Sequence, residues 1–158
     1  MESCRIPGGA RHPSPLPGTP DPRKWRECRW YLFGLDLFNH GYYWEAHEAW
    51  EALWHACGRY GELADFFKGL IQLAVAGVKV RERRPEGVRA HAKRAAELFQ
   101  SIATTLSGGG VCMGLRLNEL IATARQIGAQ PPEPQHQKCP PVEVVFPFVL
   151  LPEARSGQ

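Results

Sequence analysis

The sequence predicts an all-α protein: a single up-and-down bundle of about five helices with proline-rich extended ends. Three observations carry that reading. Of the 14 prolines, six fall in residues 1–22 and seven in 131–158, which leaves Pro85 as the interruption between them. Proline lacks the amide donor and clashes with the preceding helical turn, so residues 23–130 can be helical almost throughout. Within that span apolar residues recur at three- and four-residue spacing. A chain of 158 residues with 44% hydrophobic content suits one domain with one core.

Asp21-Pro22 pairs a capping residue with proline at the first helical position. It opens a helix running through Trp30, Phe33 and Leu37 to Gly41, a residue suited to a left-handed C-terminal cap. A second helix spans about Tyr43 to Cys57 and stops at Gly58. The third, about Glu62 to Arg83, carries Phe66, Phe67, Leu70, Ile71, Leu73, Val75 and Val78. It is apolar nearly all round, which makes it the central helix. Pro85 breaks the chain, and a fourth helix follows to about Leu106 with Val88, Ala92, Ala95, Phe99 and Ile102 at core spacing. Gly108-Gly109-Gly110 is a hinge or tight loop. The fifth helix carries Leu117, Leu120, Ile121, Ala124 and Ile127 before Gly128. Short connections set successive helices antiparallel. Residues 1–22 read as a flexible tail, and residues 131–158 as an extended strap on the helical body. Pro147 bars the apolar run from Val142 to Leu151 from a central strand.

Composition narrows the function classes. A net charge of +3 is too mild to mark a dedicated nucleic-acid binder. The longest run free of polar residues, Val144 to Pro152, is far too short to span a membrane. The N-terminus lacks the apolar core of a secretory leader. Five cysteines without a C-x-x-C pair argue against a disulfide framework and a four-cysteine zinc site. A cytoplasmic protein is expected, with homo-oligomerisation left open. Residues 79–94 carry a net charge of +5 and residues 36–62 a net of −4. A basic turn could bind phosphate or RNA, but no nucleic-acid motif accompanies it, so a solvated turn is the expectation.

All five tryptophans lie between residues 25 and 54, around the second helix. On a helical wheel Ala46, Ala49, Trp50, Leu53, Trp54 and Cys57 share one broad side. His47, Glu48, Glu51 and His55 fall in an arc of roughly 100° on the other, with Trp44 in their midst. Their three- and four-residue separations let the side chains meet or share an ion. Imidazole and carboxylate donors suit a divalent metal such as zinc, iron or manganese. In that reading His47, Glu51 and His55 are the metal-ligand candidates and Glu48 is the general base. On this helix neither the zinc-protease H-E-x-x-H nor the di-iron E-x-x-H spacing is present, since position 51 is Glu and Glu45 and His47 are only two apart. The competing reading is a solvated, hydrogen-bonded helix face. On the third helix Asp65, Lys68, Gln72 and Lys79 form a polar file. Lys68, Gln72, Lys79 and Trp44 are accordingly the candidates for holding a small-molecule substrate. Alternatively, Lys68 or Lys79 pairs with Glu48 or Glu51 in a structural network.

The string Phe38-Asn-His-Gly-Tyr-Tyr-Trp-Glu-Ala-His-Glu-Ala-Trp-Glu-Ala-Leu-Trp54, followed by Phe67-Lys-Gly-Leu-Ile-Gln-Leu-Ala-Val-Ala76, resembles the bacterial and archaeal domain-of-unknown-function family 309. The resemblance covers roughly residues 25–128 and implies a compact helical bundle. It also implies the label that family carries, a predicted metal-dependent hydrolase. Asn39, Gly41, Glu45, His47, Glu48, Trp50, Glu51 and Trp54 match motif positions, with Gly69 and Gln72 on the third helix. His55 lies past the motif. Two functions are therefore expected in competition: a metal-dependent hydrolase, and a non-catalytic helical scaffold or module binding a small ligand or partner.

Overall fold

The computed structural model describes residues 12–105, 110–134 and 142–153. Gly108 and Gly109 of the expected hinge, Cys4, Cys139 and the first eleven residues lie outside the described residues. Five α-helices carry the fold: α1 (Arg29–Asn39), α2 (Tyr43–Ala56), α3 (Glu62–Arg81), α4 (Pro85–Thr105) and α5 (Leu117–Ala129). Each packs chiefly on its neighbour in sequence, the up-and-down order that the short connections predict. The chain is an all-α bundle.

The central position of α3 follows from its composition. Phe66, Phe67, Leu70, Leu73 and Ala76 are fully buried, and its two glycines let neighbours approach. A Cβ at Gly69 would stand 2.5 Å from the Phe99 ring of α4, and one at Gly77 2.6 Å from the Tyr43 ring of α2. Only glycine fits either seam.

Three elements differ from the sequence reading. The expected first helix is divided: Pro22–Glu27 is a 3-10 segment, Cys28 is extended, and α1 starts at Arg29. The division turns Trp25 onto Gly114 and the edge of Tyr31, a tertiary contact that local periodicity does not record. A small antiparallel hairpin, β1 (Val111–Cys112) and β2 (Leu115–Arg116), precedes α5. Its turn residues Met113 and Gly114 both have positive φ, as tight two-residue hairpins require. Finally, α5 runs through Gly128, which faces Ala92 across the α4 seam.

Both flanks lie against the bundle where they are described. His12 stacks on Trp30, and Thr19 Oγ1 donates to Ala56 O. Residues 142–153 insert Val145, Phe146 and Leu150 into the core. Gly41 has the left-handed φ of +87° that a C-terminal cap needs. Its missing side chain also lets the carbonyl of Glu143 approach to 2.7 Å from where a Cβ would be.

Candidate functional site

The α2 wheel divides as its sequence predicts. Ala46, Ala49, Trp50 and Leu53 are fully buried, so the opposite arc must face outward. His47 is the most sheltered of the arc, its side chain 18% exposed. The side chains of Glu48, Glu51 and His55 are each somewhat under half exposed, and Trp44 is exposed. The arc is a surface ledge rather than a hollow between helices.

The four ionisable groups do not converge on one point. His47 Nε2 stands 3.2 Å from Glu51 Oε2, and His55 Nε2 stands 3.9 Å from Glu51 Oε1. Glu48 turns away to His12, whose Nε2 lies 3.6 Å from Glu48 Oε2. Trp44 leans on His47 at 4.9 Å between ring centroids. The buried Nδ1 of His47 has no hydrogen-bond partner. Leu16, Pro17, Ala52 and Ala56 join Glu48, Glu51 and His55 around an open groove of about 700 Å³.

The donor chemistry suits a divalent ion, but the placement does not fit a hydrolytic centre. His47 and His55 are eight residues apart, about 12 Å along the axis, and they approach different oxygens of Glu51. One ion on this ledge takes His47 and Glu51 and lacks the third protein donor that catalytic zinc sites hold. Ligating imidazoles also hand their second nitrogen to an acceptor, which His47 Nδ1 lacks. Among the described residues no group of three or more His, Cys, Asp or Glu side chains is placed to hold a metal.

The polar file of α3 points elsewhere. Lys68 Nζ lies 4.5 Å above the Trp54 ring, a cation–π contact. Lys79 pairs with Glu82 at 3.3 Å. Gln72, 8% exposed, accepts from His91 Nδ1 of α4 at 2.6 Å. Lys68 and Lys79 therefore do not neutralise Glu48 or Glu51: Lys68 meets Trp54 on another side of α2, Lys79 pairs with Glu82 just beyond α3, and Gln72 meets α4.

Burial, with the charges of Arg94 and Lys79, holds His91 below the usual imidazole range. The unfolded chain then takes up the proton first as pH falls. The stabilising contribution is complete above about pH 6.5 and is lost below it. Urea unfolding should accordingly show a falling midpoint from pH 7 to pH 5, and His91→Gln should remove part of that fall.

The sequence reading missed two sets of residues. One is His12, Leu16 and Pro17, which roof the ledge. The other is Tyr43 and Arg81, which hold the C-terminal segment. Arg81 donates to the carbonyls of Gly41 and Glu143 and stacks over the Tyr43 ring. It is therefore not part of an open basic patch, and Arg84 and Lys93 each face a glutamate. None of the three described thiols is activated as a nucleophile, since burial raises Cys28 and Cys57 and pushes Cys112 up to about 12.

Fold and site together define a small helical bundle with an imidazole–carboxylate ledge on its second helix. Residues 31–90 match the family described as Domain of unknown function (DUF309). No curated protein matches the chain.

Proposed function

We propose that the protein is a non-catalytic helical binding module whose α2 ledge engages a ligand or partner. The observation that carries this reading is the division of the ledge. Glu51 faces two imidazoles on opposite oxygens, and Glu48 is engaged by an imidazole from outside the helix. Half-exposed carboxylates that already face imidazoles are suited to reversible recognition, and no described third donor completes a metal centre. No helix among the described residues is long and apolar enough to cross a membrane. We place the protein in the cytoplasm, where its free thiols stay reduced.

The competing reading is the metal-dependent hydrolase that the family resemblance implies, with His47 and Glu51 as ligands and Glu48 as base. Elemental analysis of protein purified without an affinity tag separates the two. The binding-module reading expects well under one equivalent of zinc, iron or manganese, unchanged in His47→Ala and Glu51→Ala. One equivalent of metal, lost in both variants while the helical circular dichroism persists, would overturn it.

A further inference from the structure

We infer that the α1–α2 face is a receptor for proline-rich segments, held in this chain by its own residues 12–20 and opened to a partner protein's proline-rich segment when these are displaced. The inference rests on the binding-module reading and names its partner class.

Residues 12–20 are irregular and carry Pro13, Pro15, Pro17 and Pro20. None of their side chains is fully buried, and Leu16 is 81% exposed. A segment with so little burial would not be expected to settle on the bundle by apolar contact. Specific contacts fix it instead. His12 lies parallel to Trp30, 5.6 Å between centroids with 4° between planes, and edge-on to Phe33. Its Nε2 faces Glu48. Trp30 Nε1 donates to the carbonyl of Pro15 at 3.1 Å. Thr19 Oγ1 donates to Ala56 O at 2.7 Å, a carbonyl in the last turn of α2.

These groups match what proline-rich ligands ask of a receptor. Proline has no amide to donate and a fixed φ, so its segments are recognised through carbonyls and ring faces at low entropic cost. An indole N–H aimed at a prolyl carbonyl, a flat ring beside it and a carboxylate for a basic residue supply that recognition. All the receptor groups lie on α1 and α2, whereas the occupant precedes them in the chain. Its tether to Asp21 is short, giving an effective concentration on the order of millimolar. A partner must therefore outcompete a bound cis ligand, which makes residues 12–20 an autoinhibitory cover of the ledge.

The test uses the full chain and a fluorescent peptide with the sequence from His12 to Asp21. His12→Ala with Thr19→Val removes the stack, the imidazole–carboxylate contact and one hydrogen bond, all at exposed positions. Fluorescence anisotropy should show this double variant binding the peptide at least tenfold tighter than the unaltered chain. A peptide with Pro13, Pro15 and Pro17 replaced by alanine should lose most of that affinity. If the double variant loses its helical circular dichroism, Thr19→Val alone serves, with a smaller gain in the same direction. Equal affinity of opened and unaltered chains, or equal binding of the alanine peptide, would overturn the inference. So would concentration-dependent dimerisation of the opened chain that the peptide does not reverse, since the occupant would then be a second copy. Failure here with metal still absent leaves the binding-module reading standing, whereas a stoichiometric metal removes that reading whatever the peptide does.

Discussion

Replacing Trp50 with alanine should destabilise the bundle by about 3–5 kcal/mol, the cost of emptying a large aromatic site in a core. Trp50 is fully buried between α1 and α2, tilted against Phe38 at 5.8 Å between centroids. Its indole N–H reaches Tyr31 O only at 3.5 Å, so packing rather than hydrogen bonding dominates the loss. The α1 side of the seam is Gly34, where a Cβ would fall 2.2 Å from Trp50 Nε1. Gly34→Ala therefore forces the helices apart and should cost about 1–3 kcal/mol or more. The two changes must couple. Once the indole is gone the added methyl has room, and alanine gains up to about 1 kcal/mol over glycine within a helix. In a double-mutant cycle by urea unfolding, Gly34→Ala should be strongly destabilising with Trp50 present and near neutral or stabilising in the Trp50→Ala background. Equal cost in both backgrounds would mean that ring and glycine do not share the seam.

That seam also shows which features can be read from the chain alone. Trp50 falls on the apolar side of the α2 wheel by periodicity, and the same periodicity places His47, Glu48, Glu51 and His55 on the far side. Helix order and the central place of α3 follow from local pattern in the same way. What a wheel cannot supply is the content of the space outside it. His12 has no local signal, because its partners Trp30 and Glu48 lie far along the chain and the intervening prolines describe stiffness, not destination. The polar file of α3 is legible as a file, yet its partners depend on helix rotation: Lys68 meets Trp54 of α2 and Gln72 meets His91 of α4, where Glu48 or Glu51 was expected. The hairpin at Val111–Arg116 is too short for an alternating pattern to announce it. The break at Cys28 is likewise set by where Trp25 comes to rest on Gly114.

Phe146→Ala should cost about 3–5 kcal/mol despite lying beyond the last helix. Its ring is 4% exposed and belongs to an aromatic cluster, 5.7 Å from Phe38, 5.1 Å from Tyr43 and 5.1 Å from Phe148 between centroids. The backbone around it is secured by the last residue of α1 and the first of α2. The Tyr43 hydroxyl accepts from the amides of Val145 and Phe146, and the Asn39 side chain exchanges two hydrogen bonds with the backbone of Leu150. Pairing one asparagine with both the N–H and the C=O of one residue imitates a strand partner, which suits a segment whose Pro147 cannot join a regular ladder. Two of the motif positions, Asn39 and Gly41, thereby acquire a structural role independent of any chemistry on the α2 ledge. Tyr43→Phe should accordingly cost about 1–3 kcal/mol by leaving two buried amides unpaired, less than Phe146→Ala. Amide hydrogen exchange discriminates the cause: both variants should lose protection at Val145, Phe146 and Leu150 while α4 and α5 keep theirs. Uniform loss across all five helices would instead make the C-terminal segment inseparable from the global fold.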